Sequence, residues 1–180
     1  MKTIIDCDAI YPDKRYELQL IQISARDLDC DSNNYIFKLI DKHNSTEIIR
    51  DSIFSFTKEV RFEDFNGDNI KDILIRNKSD VRSNESYYLY LVDTAQNKLT
   101  KVEGFEQIKN PAFNPDLNII VSFAVSGRDW TSFYEIQDNA IVDLGYLIYW
   151  DEVDENGNMK DPENDYEEVL NQIMKARNSR

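Results

Sequence analysis

Asp64-Phe65-Asn66-Gly67-Asp68-Asn69-Ile70-Lys71-Asp72 places side-chain oxygens at positions 1, 3, 5 and 9 of a single loop. A hard cation such as Ca2+ takes six to eight oxygen ligands from a loop that folds back on itself. Alternate residues of a tight loop point inward together. Asp64, Asn66 and Asp68 would supply three ligands, the Ile70 carbonyl a fourth, and Asp72 a fifth directly or through water. The residue at position 6 needs a positive φ, which glycine takes freely and asparagine next most easily; here it is Asn69. The helical calcium hand places Glu at position 12. Here position 12 is Ile75, inside the apolar run Ile73-Leu74-Ile75, so the loop feeds a strand and not a second helix. The expected role is a structural Ca2+ staple between two strands. The competing reading is an Asx-rich turn without metal, since Asn, Asp and Gly dominate turns in any case.

A chain of 180 residues is most simply one domain. Its 34 acidic and 21 basic residues give a net charge of -13. Phosphate binding needs a basic face, so nucleic acid is excluded as the default partner. An acidic surface suits a basic protein and speeds the encounter by steering; it also serves solubility alone. No apolar run approaches the roughly 18 residues of a membrane span. Asp6 and Asp8 interrupt the only N-terminal apolar stretch, so no signal peptide is expected within it. Location is expected to be periplasmic if a leader has been removed, and otherwise cytoplasmic. Cys7 and Cys30 either pair, which implies an oxidising compartment, or remain as two thiols.

Alternation of apolar and polar residues predicts strands over 16–23, 35–40, 46–49, 60–62, 72–75, 87–92, 98–102, 117–125, 130–136 and 140–150. In Tyr87–Val92, Tyr88, Tyr90 and Val92 face one way and Tyr87, Leu89 and Leu91 the other. Asp138-Asn139 reads as a tight turn, and Pro111 and Pro115 punctuate a connection. The tail changes period: Tyr166, Val169, Leu170, Ile173 and Met174 share a helical face. Asp161 is placed as N-cap and Pro162 at the first helical position. Acids lead this helix and bases close it, matching its dipole. The expected fold is mainly β, a propeller-like or sandwich arrangement of short antiparallel strands. Residues 1–15 form an N-terminal arm, 16–150 the β domain, and 162–177 one amphipathic C-terminal helix that lids the sheet.

The segment 60–75 resembles the calcium repeats of propeller and integrin-like proteins. The order that follows is Tyr87-Tyr88-Leu89-Tyr90-Leu91, Lys98-Leu99, Asn110-Pro111-Ala112-Phe113-Asn114-Pro115-Asp116, Ser126-Gly127-Arg128-Asp129-Trp130 and Ala140-Ile141-Val142. Over roughly residues 56–145 it resembles bacterial periplasmic immunity proteins that inhibit secreted, lysozyme-like peptidoglycan hydrolases. The resemblance implies a propeller-like domain, a Ca2+ loop at Asp64, Asn66, Asp68, Ile70 and Asp72, and a loop that plugs a hydrolase cleft. The C-terminal helix lies outside that pattern.

The candidate contact loop is Ser126, Gly127, Arg128, Asp129 and Trp130. Gly127 permits a tight turn, and Arg and Trp dominate binding hot spots. An arginine on a rigid hairpin would reach the paired catalytic carboxylates of a glycosidase. Against this stands a solvated turn with Trp130 in the core, since Trp is highly buried on average. Residues 105–113 and the cluster Tyr87, Tyr88 and Tyr90 are second candidates, read first as a connection and as sheet packing. His43 is the only histidine, so a His-based triad and a multi-histidine zinc site have no support. No phosphate-binding glycine loop is present. Catalysis is thus not expected, and the resemblance implies an inhibitor of a basic protein toxin, most simply a cell-wall hydrolase encoded nearby. The alternatives are immunity against a basic nuclease-type toxin, a calcium-stabilised surface module, and a glycan-acting enzyme built on acidic residues.

Overall fold

A computed structural model of the chain describes residues 1–24 and 32–179. Among these residues, twelve strands form three antiparallel four-stranded sheets, each built from consecutive strands. Sheet A comprises β1 (Lys2–Asp6), β2 (Tyr16–Gln22), β3 (Tyr35–Asp41) and β4 (Thr46–Ile53). Sheet B comprises β5 (Val60–Glu63), β6 (Asp72–Ser79), β7 (Glu85–Asp93) and β8 (Lys98–Lys101). Sheet C comprises β9 (Pro111–Asn114), β10 (Ile119–Ala124), β11 (Trp130–Gln137) and β12 (Ala140–Tyr149), and α1 (Pro162–Asn178) follows. Each sheet is a meander of the kind that makes a propeller blade. The mainly β expectation with one C-terminal helix holds.

The sheets pack in series through alternate residues. Sheet A meets sheet B through Leu18, Leu20, Phe37 and Leu39 against Ile73, Ile75, Tyr90 and Val92. The opposite face of sheet B meets sheet C through Leu74, Tyr87 and Leu89 with Ile120, Phe113 and Tyr134. The far face of sheet C carries Ile119, Phe133 and Ile148, covered by Ile173, Tyr166, Val169 and Leu170 of α1. The period-2 side-chain alternation of a strand makes this possible. Sheet B is covered on both faces, which is why Ile73–Ile75 of β6 and Tyr87–Val92 of β7 run as unbroken apolar or aromatic stretches.

Three local predictions are met in detail. Asp161 accepts hydrogen bonds from the Glu163 and Asn164 amides (3.1 and 3.4 Å) with Pro162 following. Asp138 and Asn139 have φ of 51° and 62°, and Gln137 pairs with Ala140. That is the two-residue hairpin whose turn needs positive φ twice. Tyr87 and Tyr90 are buried, so the tyrosine cluster is sheet packing. Tyr90 donates to Asp51 of β4 at 2.7 Å, and Lys101 reaches the same carboxylate at 2.9 Å.

Two elements differ from expectation. The N-terminal arm contains β1, paired along its whole length with β2 from Lys2↔Ile21 to Asp6↔Glu17. The connection after Ile108 contains β9, paired with β10 from Ile119↔Asn114 to Ser122↔Pro111. Both are edge strands, and Pro111 stands first in β9, where a missing N–H is tolerated. Residues 105–107 are a 3-10 turn whose Phe105 is fully buried, so this segment fills the core between sheets B and C.

Asparagines join the layers. Buried Asn34 exchanges hydrogen bonds with Ser55 (3.1 and 2.9 Å), at the passage from sheet A to sheet B. Asn84, buried just before β7, holds the end of β10: its amide donates to the Val125 carbonyl at 2.7 Å and its carbonyl accepts from the Val125 amide at 2.8 Å. Asn110 donates to Asn84 at 2.9 Å and to the Phe123 carbonyl at 2.8 Å. Asn84→Ala strands the two Val125 backbone groups, at about 1–3 kcal/mol per unsatisfied group. Urea unfolding should therefore show Asn84→Ala losing about as much stability as Leu89→Ala, which opens a core cavity costing about 2–5 kcal/mol.

Candidate functional site

The acidic loop runs from β5 to β6. Phe65 anchors it in the core, edge-on to Phe105 at 5.4 Å between ring centres. Asp64 accepts from the amides of Asn66 (3.1 Å), Gly67 (2.7 Å) and Asn69 (2.8 Å). Asn66 accepts from the Asp68 amide at 3.1 Å, and Asp68 from the Ile70 amide at 2.7 Å. Gly67 and Asn69 have φ of 76° and 65°, so the asparagine takes the left-handed conformation expected of it. The loop is thus a chain of Asx turns in which each acidic or amide side chain binds backbone N–H groups two to five residues ahead.

Asp72 differs from the rest. It is fully buried and accepts from the Phe65 amide at 2.9 Å and the Val92 amide at 3.0 Å. Its carboxyl is pushed up to about 6, chiefly by burial, with Asp68 and Asp64 adding to the shift against those two hydrogen bonds. Among the described residues no three His, Cys, Asp or Glu side chains are grouped so as to hold a metal ion. The Ile70 residue lies at the edge of a cleft of about 270 Å3 shared with Asn66, Asp68, Asp93 and Asn139.

The second candidate, residues 126–130, is the β10–β11 turn. Ser126 donates its amide to Asp129 at 2.9 Å, and its hydroxyl accepts from the Arg128 amide at 3.2 Å. Gly127 is exposed, and no neighbouring atom lies within 4 Å of the point a Cβ would occupy there. Arg128 projects from the turn, donates to Asp151 at 2.7 Å, and lies 4.0 Å above the Tyr149 ring. Trp130 begins β11 opposite Tyr149 and is partly exposed, so it is not a core residue. Sequence reasoning missed the residues that gather around this turn. Trp150 and Phe123 stack edge-on at 5.5 Å and remain exposed, with Trp150 tied to the Thr131 hydroxyl at 2.9 Å. Val153 and Met159, bridged to each other, are also exposed. The end of sheet C therefore presents Arg, Trp, Phe and Tyr side chains on strands fixed by antiparallel pairing.

Cys7 is a buried free thiol that donates to the Tyr16 carbonyl at 3.1 Å. Burial, with Asp6 next in size, pushes it up to about 11. The proposed pairing with Cys30 falls on a residue outside the described ones. His43 lies exposed in the β3–β4 turn. No helix among the described residues is long and apolar enough to cross a membrane. Neither the protein-family models nor the curated proteins contain a match to this chain.

Arg128 and Asp151 are each half-exposed, and exposed ion pairs contribute about 0–1 kcal/mol. Arg128→Ala should therefore leave the urea midpoint nearly unchanged, by about 0.5 kcal/mol or less, which makes it a clean probe of binding.

Proposed function

We propose that this protein is an immunity-type inhibitor that binds and blocks a basic secreted toxin, a lysozyme-like peptidoglycan hydrolase, without catalysis of its own. The observation that carries the reading is the exposed, edge-on pair of Trp150 and Phe123, with Arg128 projecting from the β10–β11 turn at the same end of sheet C, on a chain of net charge -13. Tryptophan and arginine are the residue types that concentrate binding energy when a partner desolvates them. The acidic surface favours fast association with a basic partner and disfavours acidic ones. Trp150 is held by its bond to Thr131 and by Phe123, so little side-chain freedom is lost on binding. The proposal carries a periplasmic location with it, the compartment in which a cell-wall hydrolase acts.

Lysis of cell-wall substrate by the basic hydrolase encoded beside this protein should be inhibited by the wild type at equimolar ratio. Trp150→Ala and Arg128→Ala should each raise the inhibition constant about 30-fold, the size of a 2 kcal/mol hot spot. Inhibition should weaken as salt rises. Full lytic activity and no complex on size exclusion would remove the proposal. Charge alone favours a basic nuclease toxin equally well, and the same complex formation assay with the neighbouring gene product separates the two.

A structural Ca2+ in the 64–72 loop goes forward as a second proposal. It is supported by the oxygens of Asp64, Asn66, Asp68 and Asp72, the Ile70 carbonyl, and an Asp72 carboxylate buried beside two other acids. The hydrogen bonds within the loop form an Asx-turn scaffold that is complete without an ion, and Asp64 and Asp68 must regroup their free lone pairs around a common point to coordinate one. A cation bound only by the folded state raises the melting temperature in proportion to the logarithm of its concentration. Thermal unfolding in excess Ca2+ and in chelator should differ by several degrees, and Asp68→Ala should abolish the difference. Identical curves for the wild type would leave the loop as a metal-free turn.

A further inference from the structure

Sheet C has an uncovered concavity on the face opposite Trp150. Sheet B covers that face as far as Tyr134, which still packs into the core they share. Beyond it lies a cavity of about 310 Å3 whose walls include Trp130, Tyr134, Leu147 and Tyr149, with Ser132 and Asp143 as its polar groups. Its size is at the lower end of small-molecule sites, which begin at roughly 300 Å3 and combine aromatic walls with a few polar groups. A bulge builds it. Ser132 pairs with Leu147 but Tyr134 pairs with Asp143, so two steps along β11 oppose four along β12. The surplus chain turns at Gly145, with φ of 79°, whose amide donates to Asp143 at 2.8 Å. Bulges of this kind re-aim side chains beside binding sites.

The rim defines the ligand. Ser132 donates to the Tyr134 hydroxyl at 3.0 Å, leaving the tyrosine proton free to donate onward. The Trp130 indole N–H and the Tyr149 hydroxyl have no hydrogen-bond partner among the described residues. Asp143 is exposed and, among the described residues, accepts only from Gly145, so it has lone pairs to offer. Asp143 is the one charged side chain in the cavity wall; Arg128, stacked over Tyr149, lies outside that wall and is paired with Asp151 at 2.7 Å. An anion meets Asp143, a cation offers no acceptor to the indole N–H and the tyrosine hydroxyls, and a purely apolar ligand leaves four polar groups without partners, a costly arrangement. A neutral ring with an apolar face and hydroxyls around its edge satisfies all of them. We infer that this cavity is a saccharide-binding site: a pyranose ring stacks its C–H face on Trp130 or Tyr149, while Asp143, the Tyr134 and Tyr149 hydroxyls and the indole N–H pair with its hydroxyls.

This inference goes beyond the inhibitor reading and is tested without any hydrolase. Saturation-transfer NMR on the full chain with cellobiose, chitobiose and maltose, each at millimolar concentration, should show transfer to at least one disaccharide. Asp143→Asn keeps the acceptor for the Gly145 amide and should weaken that signal about tenfold in affinity. Leu147→Glu, at a half-exposed position, should block the cavity and abolish it, with circular dichroism confirming that both variants fold. Trp150→Ala, on the opposite face, should retain it. No transfer to any of the three sugars overturns the assignment. So does transfer that survives both Asp143→Asn and Leu147→Glu, or that is lost in Trp150→Ala alone. Inhibition of a hydrolase by a protein that binds no sugar would sink this inference and leave the inhibitor proposal standing.

Discussion

Burial of sheet B on both faces is the constraint from which the rest of the molecule follows. Ile73 and Ile75 pack toward sheet A while Leu74, between them, packs toward sheet C. On β7, Tyr90 and Val92 take the first side and Tyr87 and Leu89 the second. Each of these side chains removes apolar area from water at roughly 25 cal/mol per Å2, and together they link two interfaces through one pair of strands. A single-residue slip of β6 would exchange Leu74 with its isoleucine neighbours and reverse both interfaces at once. Register is therefore fixed more firmly here than in sheet A, whose outer face is largely polar, with Lys2, Glu17, Gln19 and Lys38 along it.

Apolar faces specify which layers meet but not how they are aligned along the strands. Directional contacts supply that alignment. Asn34 and Ser55 fasten the passage from sheet A to sheet B. Asn84 and Asn110 fasten β7 to the end of β10. At the other end of sheet C, Glu103 pairs with the hairpin of β11 and β12, accepting from the Ile141 amide at 2.9 Å and donating its own amide to Asn139 at 2.9 Å. A buried amide has little tolerance for displacement, because a half-satisfied group is more costly than an apolar one. These bonds hold the sheet C hairpins, and hence the exposed aromatic end, in one position relative to the core.

Much of this fold is legible in the sequence because its signals are local. Alternation in Tyr87–Val92 distinguishes two faces, Asp138-Asn139 carries its own turn chemistry, and Asp161-Pro162 marks the start of α1 without reference to anything distant. The edge strands are not legible in this way. β1 and β9 are short, mix polar residues among apolar ones, and become strands only through pairing with β2 and β10. The Asp64–Asp72 loop is readable as a turn with oxygens at alternate positions; that Asp72 turns inward to the Phe65 and Val92 amides depends on β7, twenty residues on. The Ser126–Trp130 turn is readable too, but the residues that give it chemical character come from the end of β12. The two-residue surplus in β12 that opens the cavity leaves no mark on an alternating pattern, since an even number of extra residues returns the alternation to the same face.

The location of the exposed aromatics follows from where the layers stop. Helix α1 covers Phe133 and Ile148 through Tyr166 and Ile173, yet Phe123 and Trp150, on the same face, remain exposed beside its first turn. On the opposite face, sheet B reaches Tyr134 and leaves Trp130 and Tyr149 open. The ends of β11 and β12 thus carry aromatic residues on both sides with no layer over either. Exposed large apolar side chains mark places where association occurs, and this end keeps Phe123 and Trp150 exposed and Trp130 and Tyr149 partly so. Three restraints hold this end: Trp150 by Thr131 and Phe123, Tyr149 by Arg128, and Arg128 in turn by Asp151. Such restraint lowers the ordering cost of binding on either face. The two faces differ in what surrounds the rings. Trp150 and Tyr166 are bordered by Asp161, Glu163 and Glu167, an acidic border suited to a basic protein. The Trp130 side carries one acid, Asp143, with the Ser132 and tyrosine hydroxyls around a concavity, a form suited to a small neutral ligand. The proposed protein partner and the proposed saccharide would therefore meet opposite faces of one pair of strands, separated only by the thickness of one sheet.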